Sequence, residues 1–133
     1  MSISNYLENA ICNVLKNTTL TGIANVYVQL HTGDPGEDGT SNVLQKTGPT
    51  NYDRSSAISL GTVTNGVVST NANISWTNLD LETSPSTISY VSLWDAASAG
   101  NCLWISNVMS PTVAVADGDT FTITSGNLTI TVT

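Results

Sequence analysis

From residue 24 onward the chain alternates apolar and polar residues in short runs, each closed by turn-forming residues, and this pattern leaves few folds open. In Ala24-Asn25-Val26-Tyr27-Val28-Gln29-Leu30-His31, an extended backbone sends Val26, Val28 and Leu30 to one side and Asn25, Tyr27 and Gln29 to the other. That is the two-residue period of a half-buried strand. Comparable runs occupy residues 56 to 60, 67 to 70, 73 to 77, 87 to 94, 102 to 106, 112 to 116, 120 to 124 and 128 to 132, giving about nine short strands. Asn65-Gly66 suits a tight hairpin with positive φ, and Ala99-Gly100-Asn101, Asp117-Gly118-Asp119 and Ser125-Gly126-Asn127 mark further turns. Strands recurring every 8 to 12 or so residues predict a mainly β protein, an antiparallel β-sandwich of jelly-roll type.

The N-terminal residues follow a different period. Ile3, Leu7, Ile11, Val14 and Leu15 recur at helical spacing, with Asn5, Glu8, Asn9 and Asn13 elsewhere around the wheel. The spacing predicts one amphipathic α-helix over residues 3 to 16, capped by Ser2 or Ser4 and ended by Asn17-Thr18-Thr19. Its apolar face is expected to dock. The long irregular stretch, residues 32 to 53, holds Asp34-Pro35-Gly36-Glu37-Asp38-Gly39 and Lys46-Thr47-Gly48-Pro49, and a loop of this length is usually functional. No fixed-period repeat occurs, which argues against a solenoid or a repetitive shaft. A chain of 133 residues predicts one domain over 1 to 133.

Composition narrows the function. Charged residues are 10% of the chain, against about 25% in ordinary globular proteins, whereas Ser, Thr and Asn make up 50 of 133 positions. The net charge is −7, and Lys16, Lys46 and Arg54 are the only cations. Nucleic acid and anionic membranes are therefore not expected as partners, because both need clustered Lys and Arg. The 40% hydrophobic content argues against disorder. No basic n-region precedes an apolar run, so cytoplasmic synthesis is expected. Cys12 and Cys102, far apart in sequence, read as free thiols.

Chemical signatures are weak. His31 is the one histidine, no Gly-x-Ser-x-Gly elbow exists, and a His31-centred enzyme with Asp95 or Asp119 is disfavoured against a structural histidine. One His and two distant Cys cannot make a zinc set. Asp34, Glu37 and Asp38 could offer oxygens to Ca²⁺, but in an EF-hand register from Asp34 the third position is Gly36 and the twelfth Gln45, so a solvated acidic turn is expected. Asp80 with Glu82, and Asp117 with Asp119, could be read as glycosidase pairs, yet both sit beside turns where carboxylates serve the backbone. Sequons at Asn17, Asn73 and Asn127 are no more than this composition yields by chance. Trp76, Trp94 and Trp104 lie within alternating strands, which favours a core or interface role over a sugar platform. No cofactor is implied.

Four blocks carry a resemblance: Ser-Ile-Ser-Asn-Tyr-Leu-Glu-Asn at 2 to 9, Leu-His-Thr-Gly-Asp-Pro-Gly-Glu-Asp-Gly-Thr at 30 to 40, Val-Ser-Leu-Trp-Asp-Ala at 91 to 96, and Asp-Gly-Asp-Thr-Phe-Thr-Ile at 117 to 123. Together they resemble a family of small tailed-bacteriophage virion proteins, often labelled tail fibre proteins. Residues 16 to 22 and 43 to 52 depart from the family pattern. The resemblance implies a non-enzymatic, β-rich structural subunit located in the virion, with no catalytic residues to carry over. Within that frame, the compact, repeat-free chain and its neutral polar surface favour a capsid decoration or cement protein, with a tail fibre or receptor- or carbohydrate-binding tail module as the alternative. The expected partners are further copies of the chain, preferentially a trimer, and the major capsid protein or tail proteins. Interaction residues are expected at Leu7 and Ile11 on the helix, at Asp34, Pro35, Gly36, Glu37 and Asp38 in the long loop, and at Trp94 and Trp104.

Overall fold

The alternating runs pair antiparallel in the computed structural model, which describes residues 2 to 132. A four-stranded sheet is built from β1 (Ser2–Ile3), β2 (Tyr27–His31), β8 (Tyr90–Trp94) and β9 (Cys102–Ile105) in the order β1-β9-β8-β2. The remaining strands are β3 (Gln45–Lys46), β4 (Thr50–Asn51), β5 (Val67–Ser69), β6 (Ile74–Trp76), β7 (Ser86–Ile88), β10 (Val113–Val115), β11 (Phe121–Ile123) and β12 (Thr129–Thr131). Their pairing is nested: β5 with β12, β6 with β11, β7 with β10, and β8 with β9 innermost. This is a long antiparallel ribbon rolled upon itself, the pairing logic of a jelly roll. The mainly β class with one N-terminal helix is as the periodicity predicts.

Between β2 and β8, Val28 faces Leu93 and Leu30 faces Val91, and these four side chains sit in the main core with Ile88 and Leu103. Turn positions behave as their chemistry requires: Asn65 and Gly66 both take positive φ, 50° and 76°, where Thr64 and Val67 close the hairpin with reciprocal hydrogen bonds.

Three segments differ from the periodicity. Residues 56 to 60 form no strand. Ser55 and Ile58 donate their N–H groups to Val28 O and Val26 O, so three steps on one side face two on the other, and the extra residue breaks the ladder. The run 87 to 94 is split at Ser89, whose N–H goes to His31 O and whose carbonyl accepts from Met109 N, turning the chain from one pairing to the next. The helix, α1 (Asn5–Val14), is shorter than 3 to 16 because Ser2 and Ile3 pair with Ile105 and Trp104 instead. Ser4 is the N-cap: its hydroxyl accepts from Leu7 N and donates to Cys102 O, which ties the cap to the sheet. At the other end Asn17 has φ 61° and Thr18 N bonds Asn13 O, a left-handed closure that stops the helix. Among the described residues no helix is long and apolar enough to cross a membrane.

Candidate functional site

Strands β2, β8 and β9 are buried on both faces, and what covers the second face is the start of the long loop. There His31, Ser92 and Trp94 form a chain of hydrogen bonds. The His31 Nδ1–H donates to the Ser41 carbonyl at 2.9 Å, which fixes the tautomer and leaves Nε2 to accept from Ser92 Oγ at 2.7 Å. Ser92 Oγ in turn accepts from Trp94 Nε1 at 2.8 Å. His31 is fully buried, and this desolvation lowers its pKa from the ordinary 6.5, so the neutral ring is the native form. Both ring nitrogens are thus committed to holding loop and sheet together, and neither meets a carboxylate.

Around this chain the loop is drawn tight. Pro35 is buried, Ser41 N bonds Pro35 O, and Gly39 N bonds Gly36 O. Gly39 lies so close to the sheet that a Cβ there would stand 2.6 Å from Cys102 Sγ and 3.0 Å from the Trp94 ring. The Arg54 guanidinium stacks on the Trp94 ring, 3.6 Å from its centroid, and donates to the carbonyls of Ala96 and Ala99. Burial pushes the Cys102 thiol up to about 11.

Carboxylates here serve backbone groups. Asp34 Oδ1 accepts from Gly36 N at 2.9 Å, and Asp38 Oδ1 accepts from the N–H and hydroxyl of Thr40, bonds that hold the Asp38 carboxyl below its usual range. Glu82 accepts from Gly48 N, Asp117 from Leu81 N and Asp119 from Ala116 N. Among the described residues no cluster of three or more His, Cys, Asp or Glu side chains is placed to hold a metal.

The interaction residues expected from sequence fall in three places. Glu37, Asp38 and Trp94 line one cavity of about 270 Å³ together with Ser4, Asn101 and Cys102. Trp94 and Trp104 are buried, 6% and 8% exposed, on opposite faces of the sheet, and Trp76 is buried as well. Within the chain Lys46 pairs with Asp53 at 2.8 Å, and Arg54 lies on Trp94. On the helix only part of the apolar face packs within the chain. Ile3 and Leu7 pack against the core, but Ile11 is 41% exposed, Val14 45% and Leu15 89%, because the helix runs past the edge of the sheet. Leu20 and Ile23 beyond it are also exposed. Sequence reasoning missed these two, since they follow the helix terminator, and it missed Arg54 on Trp94, a contact between residues 40 positions apart.

The model of a family described as Podophage GP4 fiber I protein gp80 matches residues 2–131. No curated protein matches the chain.

Proposed function

Because the chain belongs to this phage fibre family, we propose that it is a building element of the tail fibre apparatus of a podophage. The coarser part needs no proposal: members of the family are virion-associated bacteriophage structural proteins. Placement on the tail is favoured over capsid decoration by the family's fibre description, the single observation that carries this reading. Lack of repeats and a neutral surface suit any protein that docks through shape, on the tail as well as on the capsid.

The geometry supports a connecting role over sugar stacking. All three Trp rings are buried, so none offers a free face to a glycan. The surface that remains is rich in Ser, Thr and Asn, which lose less conformational freedom and desolvation free energy on docking than Lys or Glu. The exposed acidic edge of the loop, Asp34, Glu37 and Asp38, is a contact for another virion protein in this reading. Its test is electron microscopy of particles carrying a C-terminally tagged subunit, decorated with an anti-tag antibody. Label at the tail is the expected result. Label distributed over the heads would restore the decoration reading.

A further inference from the structure

We propose that the exposed apolar stretch beginning at Ile11 is a self-association surface, pairing two copies of the chain about a twofold axis with their helices antiparallel. The inference uses only the chain itself and does not depend on where the subunit sits in the virion. Residues 11 to 25 are all exposed, and they carry Ile11, Val14, Leu15, Leu20 and Ile23, five of the nine large apolar side chains exposed among the described residues. At exposures of 41% to 89% these five residues present roughly 500 Å² of surface, side chain and backbone together. A standard interface covers about 800 Å² per partner, so these five residues supply about 60% of one such interface.

Charge selects the occupant. Glu8 and Lys16 are the only charged residues before Asp34, so this end of the chain is neutral while the protein as a whole carries −7. Two copies meeting here bring no acidic cluster against another. Glu8 lies on the helix and Lys16 two residues past its end, with Cys12 midway between them in sequence. Among the described residues the one ion pair is Lys46–Asp53, and neither Glu8 nor Lys16 pairs with another of them. Antiparallel packing centred near Cys12 sets Glu8 of each copy against Lys16 of the other, twice by symmetry. Asn9, Asn13, Asn17 and Thr18 supply a neutral polar rim.

The test is sedimentation equilibrium of the full chain. The wild type is expected to be a dimer, and Leu15→Glu, at a side chain that is 89% exposed and supports nothing in its own subunit, a monomer with unchanged unfolding. Val63→Glu, at an exposed apolar residue elsewhere, should leave the dimer intact. Glu8→Lys should weaken the dimer about tenfold by turning two attractions into repulsions, and Glu8→Lys combined with Lys16→Glu should restore it. A wild type that is monomeric at about 100 μM, a trimer, a dimeric Leu15→Glu variant, or failure of the double exchange to restore affinity would each overturn the proposal.

Discussion

Replacing Gly39 with alanine isolates the contact by which the long loop is laid on the sheet. Two costs arise. Gly39 has φ +72°, where an L-residue loses about 1 to 2 kcal/mol, and the new methyl would stand 2.6 Å from Cys102 Sγ and 3.0 Å from the Trp94 ring, an overpacking that costs about 1 to 3 kcal/mol. Gly36, three residues earlier in the same loop, separates the two. Its φ is +70° and its nearest neighbours would be 3.7 Å from a Cβ, an ordinary contact, so Gly36→Ala carries the backbone cost alone. Urea unfolding followed by tryptophan fluorescence should show Gly39→Ala losing about 3 kcal/mol and Gly36→Ala about 1 to 2 kcal/mol. In melting temperature the larger loss is about 10 °C for a chain of this size. Equal losses in the two variants would refute the reasoning, since they would mean that the loop does not press on Cys102 and Trp94.

Further outcomes follow from the same cluster. His31, whose folded pKa is depressed by burial, binds a proton more readily in the unfolded chain, so its contribution to stability is complete above the ordinary value of 6.5 and is lost as pH falls from there through the folded value; urea midpoints measured between about pH 7.5 and about pH 5 should decline, and His31→Gln should flatten the upper part of that decline. Cys12, exposed on the helix of the single subunit, should react with a thiol reagent in the folded Leu15→Glu variant, while Cys102, buried and with its pKa raised to about 11, should react only on unfolding; mass spectrometry after brief alkylation distinguishes them. Arg54→Lys should cost about 1 to 2 kcal/mol by urea unfolding, because a lysine keeps the charge but cannot stack flat on Trp94 while reaching both Ala96 O and Ala99 O.

What the sequence disclosed was the local part. Alternation located β2, β8 and β9 to within a few residues, and Asn65-Gly66 announced its own turn, because strand faces and positive φ are properties of neighbouring residues. The helix shows where that stops. Periodicity identified Ile11 as part of an apolar face, but a wheel says nothing of how far the supporting sheet extends, so packing of Leu7 and exposure of Ile11 look identical in sequence. The loop illustrates the same limit in reverse: residues 32 to 53 read as an irregular excursion, although Pro35, Gly39 and Val43 are buried, Gly39 against Cys102 and Trp94 far along the chain. His31 was legible as a structural histidine by elimination, whereas its partners Ser41 and Ser92 were two serines among 16.

The nested ribbon also dictates an order of events during synthesis. The innermost hairpin, β8 with β9, closes across the seven residues between Trp94 and Cys102, whereas β5 must wait for β12, some 60 residues further along. On a ribosome that emits the chain from its N-terminus, β5, β6 and β7 therefore emerge with edges open and no partner yet made. Pairing can then proceed only from the middle outward, each ladder shortening the loop that the next one has to close. A chain halted within β10 would hold the four-stranded sheet and the β3–β4 hairpin but leave β5, β6 and β7 without their partners, the species most prone to join a neighbour in the wrong register.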